Sequence, residues 1–107
     1  MKTGLLLAFA ISLQISSIAQ GEESMDNTLR FELSKPLLVI KEKKGFLACA
    51  YINPETCNKT GEACAIVSGV NSYDDMKSAR IIAVSLPAEK LGIKVGDLGQ
   101  EALEKLK

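Results

Sequence analysis

Three cysteines and no histidine define the side-chain chemistry open to this 107-residue chain. A thiolate is a strong nucleophile, and Cys49 stands in the apolar stretch Gly45-Phe46-Leu47-Ala48-Cys49-Ala50-Tyr51. Strand alternation puts Cys49 on the side of Leu47 and Tyr51, late in the strand and close to a turn, where reactive groups are often found. Cys49 is therefore the candidate catalytic residue. Tyr51 is the candidate ligand or interface residue beside it, and Lys94 is the candidate neighbouring cation. A cysteine in an apolar strand is ordinarily a small packing residue, however, and neither a histidine nor an adjacent basic residue is present to generate a thiolate. The residues thus favour a non-catalytic role over an enzyme.

Cys57 and Cys64 lie seven positions apart, across the turn expected at Gly61. A disulfide between them is geometrically open and would be useful in an oxidising compartment. It would leave Cys49 over, buried or paired with another chain. No Cys-x-x-Cys spacing occurs, and without histidine the commonest zinc ligand is missing, so no metal site and no cofactor are expected. The same lack of histidine excludes Ser-His and Cys-His nucleophile pairs. Asp74 and Asp75 are adjacent and would diverge by about 100° on a helix, too far to share a proton. Asn58-Lys59-Thr60 has the spacing of an N-glycosylation acceptor, which has meaning only in a eukaryotic secretory pathway.

Thirteen basic and thirteen acidic residues cancel. With no positive field to gather phosphates, nucleic acid is not an expected partner. The chain starts with Met1-Lys2 and then the apolar run Gly4-Leu5-Leu6-Leu7-Ala8-Phe9-Ala10-Ile11-Ser12-Leu13. One positive side chain, a short apolar run and the small residues of Ser17-Ile18-Ala19 have the form of a secretory signal covering residues 1–19. The run is too short for a stable membrane-spanning helix, so no integral membrane segment is expected after processing. Two alternatives stay open: a first strand of the domain turning at Gln20-Gly21, or a true start at Met25. Export to the periplasm or exterior follows from the first reading, and a cytoplasmic location from the others.

The remaining pattern, residues 29–107, is that of one small domain. Alternation in Leu29-Arg30-Phe31-Glu32-Leu33 predicts a strand, and Pro36 limits pairing at its end. The run Leu37-Leu38-Val39-Ile40, a Lys-rich turn closed by Gly45, and the stretch around Cys49 predict a hairpin. Asn53-Pro54 opens a short helix that Gly61 stops. Ala63-Cys64-Ala65-Ile66-Val67 reads as a buried strand, Ser72 with Asp75 as a helix start, and residues 80–84 as a further strand. Pro87 opens a third helix ending at Gly92. A last helix is expected near Asp97, capped by Asp97 with Gln100, with Ala102, Leu103 and Leu106 on one face. The fold class is α+β: a mostly antiparallel sheet with short helices between strands.

Several of these stretches resemble the YunC-like family, small proteins named as a domain of unknown function. The resemblance is carried by Gly45-Phe46-Leu47-Ala48-Cys49, by Gly69-Val70-Asn71-Ser72-Tyr73-Asp74-Asp75-Met76, by Gly92-Ile93-Lys94-Val95-Gly96 and by Glu101-Ala102-Leu103. It implies the fold class and a strand with a glycine turn ahead of residue 31, but no reaction. Two positions depart from the family pattern: Ala50 replaces a usual glycine and Gln100 a usual arginine. A methyl group at residue 50 narrows any approach to the backbone beside Cys49, and Gln100 cannot supply a charge to an anion.

Small sheets expose edges, and identical subunits commonly cover them. The sequence is therefore expected to form a homo-oligomer that binds a small-molecule ligand or partner near Cys49 and Tyr51. The alternative is a thiol-dependent enzyme or redox sensor using Cys49.

Overall fold

Alternating side chains pair five strands into one sheet in the order β1 (Thr28–Phe31), β2 (Leu37–Lys41), β3 (Gly45–Cys49), β4 (Ala63–Val67) and β5 (Ala83–Val84). The computed structural model describes residues 27–107. The N-terminal run, with its signal, first-strand and Met25 readings, lies outside the described residues. All neighbouring strands are antiparallel except β3 and β4, which run parallel. Among the described residues four short helices complete an α+β domain: α1 (Pro54–Thr60), α2 (Tyr73–Ser78), α3 (Leu86–Lys90) and α4 (Gly99–Leu106).

The strand period of two divides the apolar residues between the two faces. One face carries Leu38, Ile40, Leu47, Cys49, Ala65 and Val67, which pack with Met76 of α2, Ala88 of α3 and Ala102, Leu103 and Leu106 of α4 in the main core. Helical spacing in α4 turns Ala102, Leu103 and Leu106 inward, with Gly99 also buried, while Glu101, Glu104 and Lys105 stay exposed. The opposite face carries Ala48, Cys64 and Ile66, flanked by half-buried Val39, Phe46 and Ala83. There α1 contributes Cys57, which is bridged to Cys64 with a Cα separation of 6.4 Å. Cys49 is a free, buried cysteine.

Local chemistry sets the ends of these elements. Asn53 Oδ1 accepts from Glu55 N at 2.8 Å, Pro54 occupies the first turn of α1, and Gly61 closes it in the left-handed region. Ser72 Oγ accepts from Asp75 N at 3.0 Å and starts α2. Ser85 is fully buried: its Oγ donates to Glu62 O at 2.8 Å and accepts from Cys64 N at 2.9 Å and Ala88 N at 3.3 Å. One hydroxyl thereby joins the start of β4 to the start of α3. Gly45 begins the parallel pair opposite Ala63, and a Cβ on it would lie 2.0 Å from Ala63 O. Only glycine permits that approach.

Two expectations are corrected. The last helix is not capped by Asp97 and Gln100: Leu98 is its N-cap, and Glu101 Oε1 accepts from Leu98 N at 2.8 Å. Asp97 instead closes the preceding loop, its Oδ2 accepting from Lys94 N at 2.9 Å. That bond, with Lys105 Nζ 3.6 Å away, holds the Asp97 carboxyl below the usual carboxylate range. The strand expected over residues 80–84 shortens to Ala83–Val84. Ile81 spends its backbone groups on Asp97 O and Gly96 N, and Arg80 forms an isolated bridge with Leu98.

Candidate functional site

The direction of the chain after β3 and β4 creates the candidate site. From the end of β3 the chain passes to α1 on the disulfide face of the sheet, whereas from the end of β4 it passes to α2 on the main-core face. Parallel neighbours whose following helices depart to opposite faces leave a crevice at their carboxyl ends, the place where α/β sheets commonly hold ligands. Here Cys49 pairs with Val67 at the last register position, and the crevice opens just beyond them. Its volume is about 200 Å³, and its lining comes from three segments. Cys49, Ala50 and Tyr51 follow β3, Gly69 and Val70 follow β4, and Lys35 and Pro36 lead into β2.

Cys49 forms the floor. The residue is only 4% exposed, and its Sγ accepts a hydrogen bond from Leu38 N at 3.3 Å. Tyr51 stands past the strand end on the rim and is half exposed. Ala50, where the YunC-like resemblance implies a glycine, is one of the lining residues. Gly69 turns the chain at φ 71°, a conformation that favours glycine, and brings Val70 back against the core. Lys35 is the basic residue of the lining. Its Nζ lies 3.3 Å from Asn71 Oδ1, and Arg30 Nη1 donates to Asn71 O at 3.0 Å, so two cations gather at the outer side of the crevice.

The structure thus brings Cys49 and Tyr51 together but not Lys94, which lies in the loop between α3 and α4 and is not part of the lining. The cation at the crevice is Lys35. Gln100 belongs elsewhere too, in a depression of about 410 Å³ with Thr28, Ile40, Tyr73, Lys77 and Lys107. The two family departures consequently sit at separate places. Cys57 and Cys64 lie on the far side of the sheet from Cys49, joined to each other. Among the described residues, no cluster of three or more His, Cys, Asp or Glu side chains is arranged to hold a metal ion. Nor is any described helix long and apolar enough to cross a membrane. Asn58 of the glycosylation triplet has its Oδ1 occupied as an acceptor for Leu86 N at 2.7 Å.

Lys35, Pro36, Gly69 and Val70 were not singled out as site residues from the sequence. Gly69-Val70 carried a usable signal, a glycine after a buried strand. Lys35-Pro36 carried none, since only the β1–β2 pairing brings that loop to the end of β3.

Two comparisons place the chain among known proteins. Residues 48–106 match the family model described as "Domain of unknown function (DUF1805)", a stretch that begins one residue before Cys49 and takes in both loops beyond the parallel strands. The chain is similar to a crystal structure of a protein of unknown function, TA1206, from Thermoplasma acidophilum, with 35% identity and a TM-score of 0.68. The similarity covers 75% of this chain and 91% of that one. No curated protein matches the chain. The YunC-like resemblance is consistent with the family model, and the chain belongs to the DUF1805 family of domains of unknown function.

Proposed function

We propose that the domain is a non-catalytic binding module, working as an assembly of identical subunits, whose crevice above Cys49 takes a small ligand with an apolar body and an anionic end. The crevice at the carboxyl ends of β3 and β4 carries the reading. Pro36, Ala50 and Val70 offer an apolar wall, Tyr51 an aromatic rim and Lys35 a single charge. Such a lining, mostly apolar with few polar groups, is the usual composition of a small-molecule site. A volume of about 200 Å³ accommodates a compact acid rather than a nucleotide or cofactor.

Titration of isotope-labelled protein with benzoate or hexanoate, followed by amide chemical shifts, tests the reading. Shifts concentrated at Lys35, Ala50, Tyr51, Gly69 and Val70 that disappear in Ala50→Phe support it. Shifts scattered over the surface, or none at millimolar acid, refute it.

The alternative, thiol chemistry at Cys49, is favoured by one observation: the residue belongs to the crevice lining despite its low exposure. Alkylation of the folded protein separates the two readings. A packing cysteine reacts with iodoacetamide far more slowly folded than unfolded, whereas a working thiol reacts readily at mild pH. The Cys57–Cys64 bridge also supports export to an oxidising compartment. Intact mass of protein from its native host, with a start at Gln20 and one alkylatable thiol, is the outcome that reading requires.

A further inference from the structure

We propose, resting on the binding reading above, that the Cys57–Cys64 bridge is a redox control on the crevice: while the bridge is closed the crevice binds its ligand, and when the bridge is reduced α1 lifts from the sheet and affinity falls. α1 has one anchor. Of its seven residues Cys57 alone is buried, and the Cys57 sulfur is bonded to Cys64 of β4. Glu55, Thr56, Asn58, Lys59 and Thr60 are exposed. A helix of about two turns is unstable in water by itself and depends on the face that it packs against the rest of the protein. In α1 that face is a single side chain, and the side chain is a covalent link. The other ties are slighter: Pro54 is half-buried, and Leu86 N donates to Asn58 Oδ1 at 2.7 Å on the exposed surface. A hydrogen bond at the surface competes with water and contributes little.

Ile52 carries the coupling from the bridge to the crevice. Its side chain packs, half-buried, on the cluster of Ala48, Cys57, Cys64 and Ile66. Its amide donates to Cys49 O at 3.0 Å, which closes a turn with Ala50 and Tyr51 at its centre. Those two residues line the crevice, and Asn53, next after Ile52, caps α1. The crevice wall and the anchor of α1 are thus the two ends of one short segment, residues 50–57. Release of α1 frees Ile52 from the cluster, so a ligand must order the Ala50-Tyr51 turn as it binds, which lowers its affinity. The reductant is a dithiol. One of its thiolates attacks a bridge sulfur and expels the other cysteine as a thiolate; its second thiolate then displaces the remaining cysteine. A cyclic disulfide leaves, two electrons have passed to the bridge, and Cys57 and Cys64 take up the two protons the dithiol gave up. Both cysteines are buried, so the exchange proceeds through lifting of α1. Cys49 is a free thiol in either state.

The test compares the bridged full chain with the same chain in excess dithiothreitol, by amide hydrogen exchange and by titration with benzoate. On reduction, the amides of α1 and of Ile52 should exchange within about tenfold of unfolded rates, while those of Ile40, Ile66 and Leu103 stay protected about a hundredfold or more. Benzoate should bind the reduced form about tenfold more weakly. Linkage requires the reverse effect as well: saturating benzoate should raise the ratio of reduced to oxidised dithiothreitol needed to open half the bridges by that same factor. The variant with both Cys57→Ala and Cys64→Ala should match the reduced form without any reductant. The proposal is overturned if α1 and Ile52 keep the protection of the core after reduction, if both forms bind benzoate alike, or if reduction unfolds the whole domain, which would make the bridge a staple of the entire fold. If neither form binds benzoate, the binding reading fails instead. Exchange at Ile52 then decides the coupling alone: lost protection supports it and retained protection overturns it.

Discussion

Replacing Ser85 by alanine should be among the costliest single-atom deletions in this domain. The hydroxyl is fully buried and serves three backbone groups: the Cys64 amide, the Ala88 amide and the Glu62 carbonyl. Cys64 is itself wholly buried, so its amide would lose its partner with no access to water, at a cost of about 1–3 kcal/mol. Loss of the cap on α3 adds about 1 kcal/mol. The Glu62 carbonyl adds less, because that residue reaches solvent. A total near 3 kcal/mol is expected, against roughly 4–12 kcal/mol for a domain of this size. With about 4–8 °C lost per kcal/mol, Tm should fall by about 12–24 °C. Urea unfolding followed by circular dichroism measures the change, with the slope m unchanged if only the folded state is affected. Ser72→Ala, an exposed cap with one bond, is the control and should lose about 1 kcal/mol. If Ser85→Ala loses no more than Ser72→Ala, the joint between β4 and α3 does not depend on this hydroxyl and the reasoning is wrong.

Four further outcomes follow from other contacts. Reduction of the Cys57–Cys64 bridge should lower stability by about 2–3 kcal/mol, as the entropy of so short a loop requires, and raise the count of alkylatable thiols in denaturant from one to three. Gly45→Ala should fail to yield a folded domain or unfold far earlier than the parent, because its methyl group meets the Ala63 carbonyl; a near-native Tm would contradict the close approach. Lys35→Met should weaken binding of benzoate about tenfold and leave binding of benzyl alcohol unchanged, both read by amide shifts. The Asp97 carboxyl is held below its usual range in the folded protein, so its contribution is fully present above the unfolded value, ~3.9, and is lost as pH falls through the lower folded value. Asp97→Asn should accordingly flatten the acid limb of the stability curve below about pH 4, and an unchanged limb would remove Asp97 from that role.

Local patterns made most elements readable from the sequence. Asn53-Pro54 and Gly61 bracket α1, Ser72 starts α2, and the apolar runs of β2 and β4 stand where their patterns put them. The misread parts depend on distant partners. Asp97 has the side chain of a cap, but the Lys94 amide claims it first, and Glu101 takes over the helix start. Residues 80–82 have strand-forming side chains, yet the backbone of Ile81 is engaged by the loop before α4. At the site, Cys49 and Tyr51 were visible as neighbours in sequence. Lys35 was not, since it reaches the crevice only through the register that places Phe31 opposite Leu37. The parallel pairing of β3 with β4 had the weakest signature: seven residues of α1 are barely enough to carry the chain back to the start of the next strand.

The order of burial has a consequence for synthesis. Leu38, Ile40 and Leu47 are made well before the helix that packs on them with Ala102, Leu103 and Leu106, and the Leu106 carbonyl also accepts from Lys44 N at 2.8 Å. Until α4 has emerged from the ribosome, this side of the nascent sheet is covered only by the elements around Met76 and Ala88, and the part under α4 remains open to chaperones and proteases. A chain stalled before Gly99 should therefore be held by chaperones or degraded, whereas one in which α4 has emerged can close this part of the core.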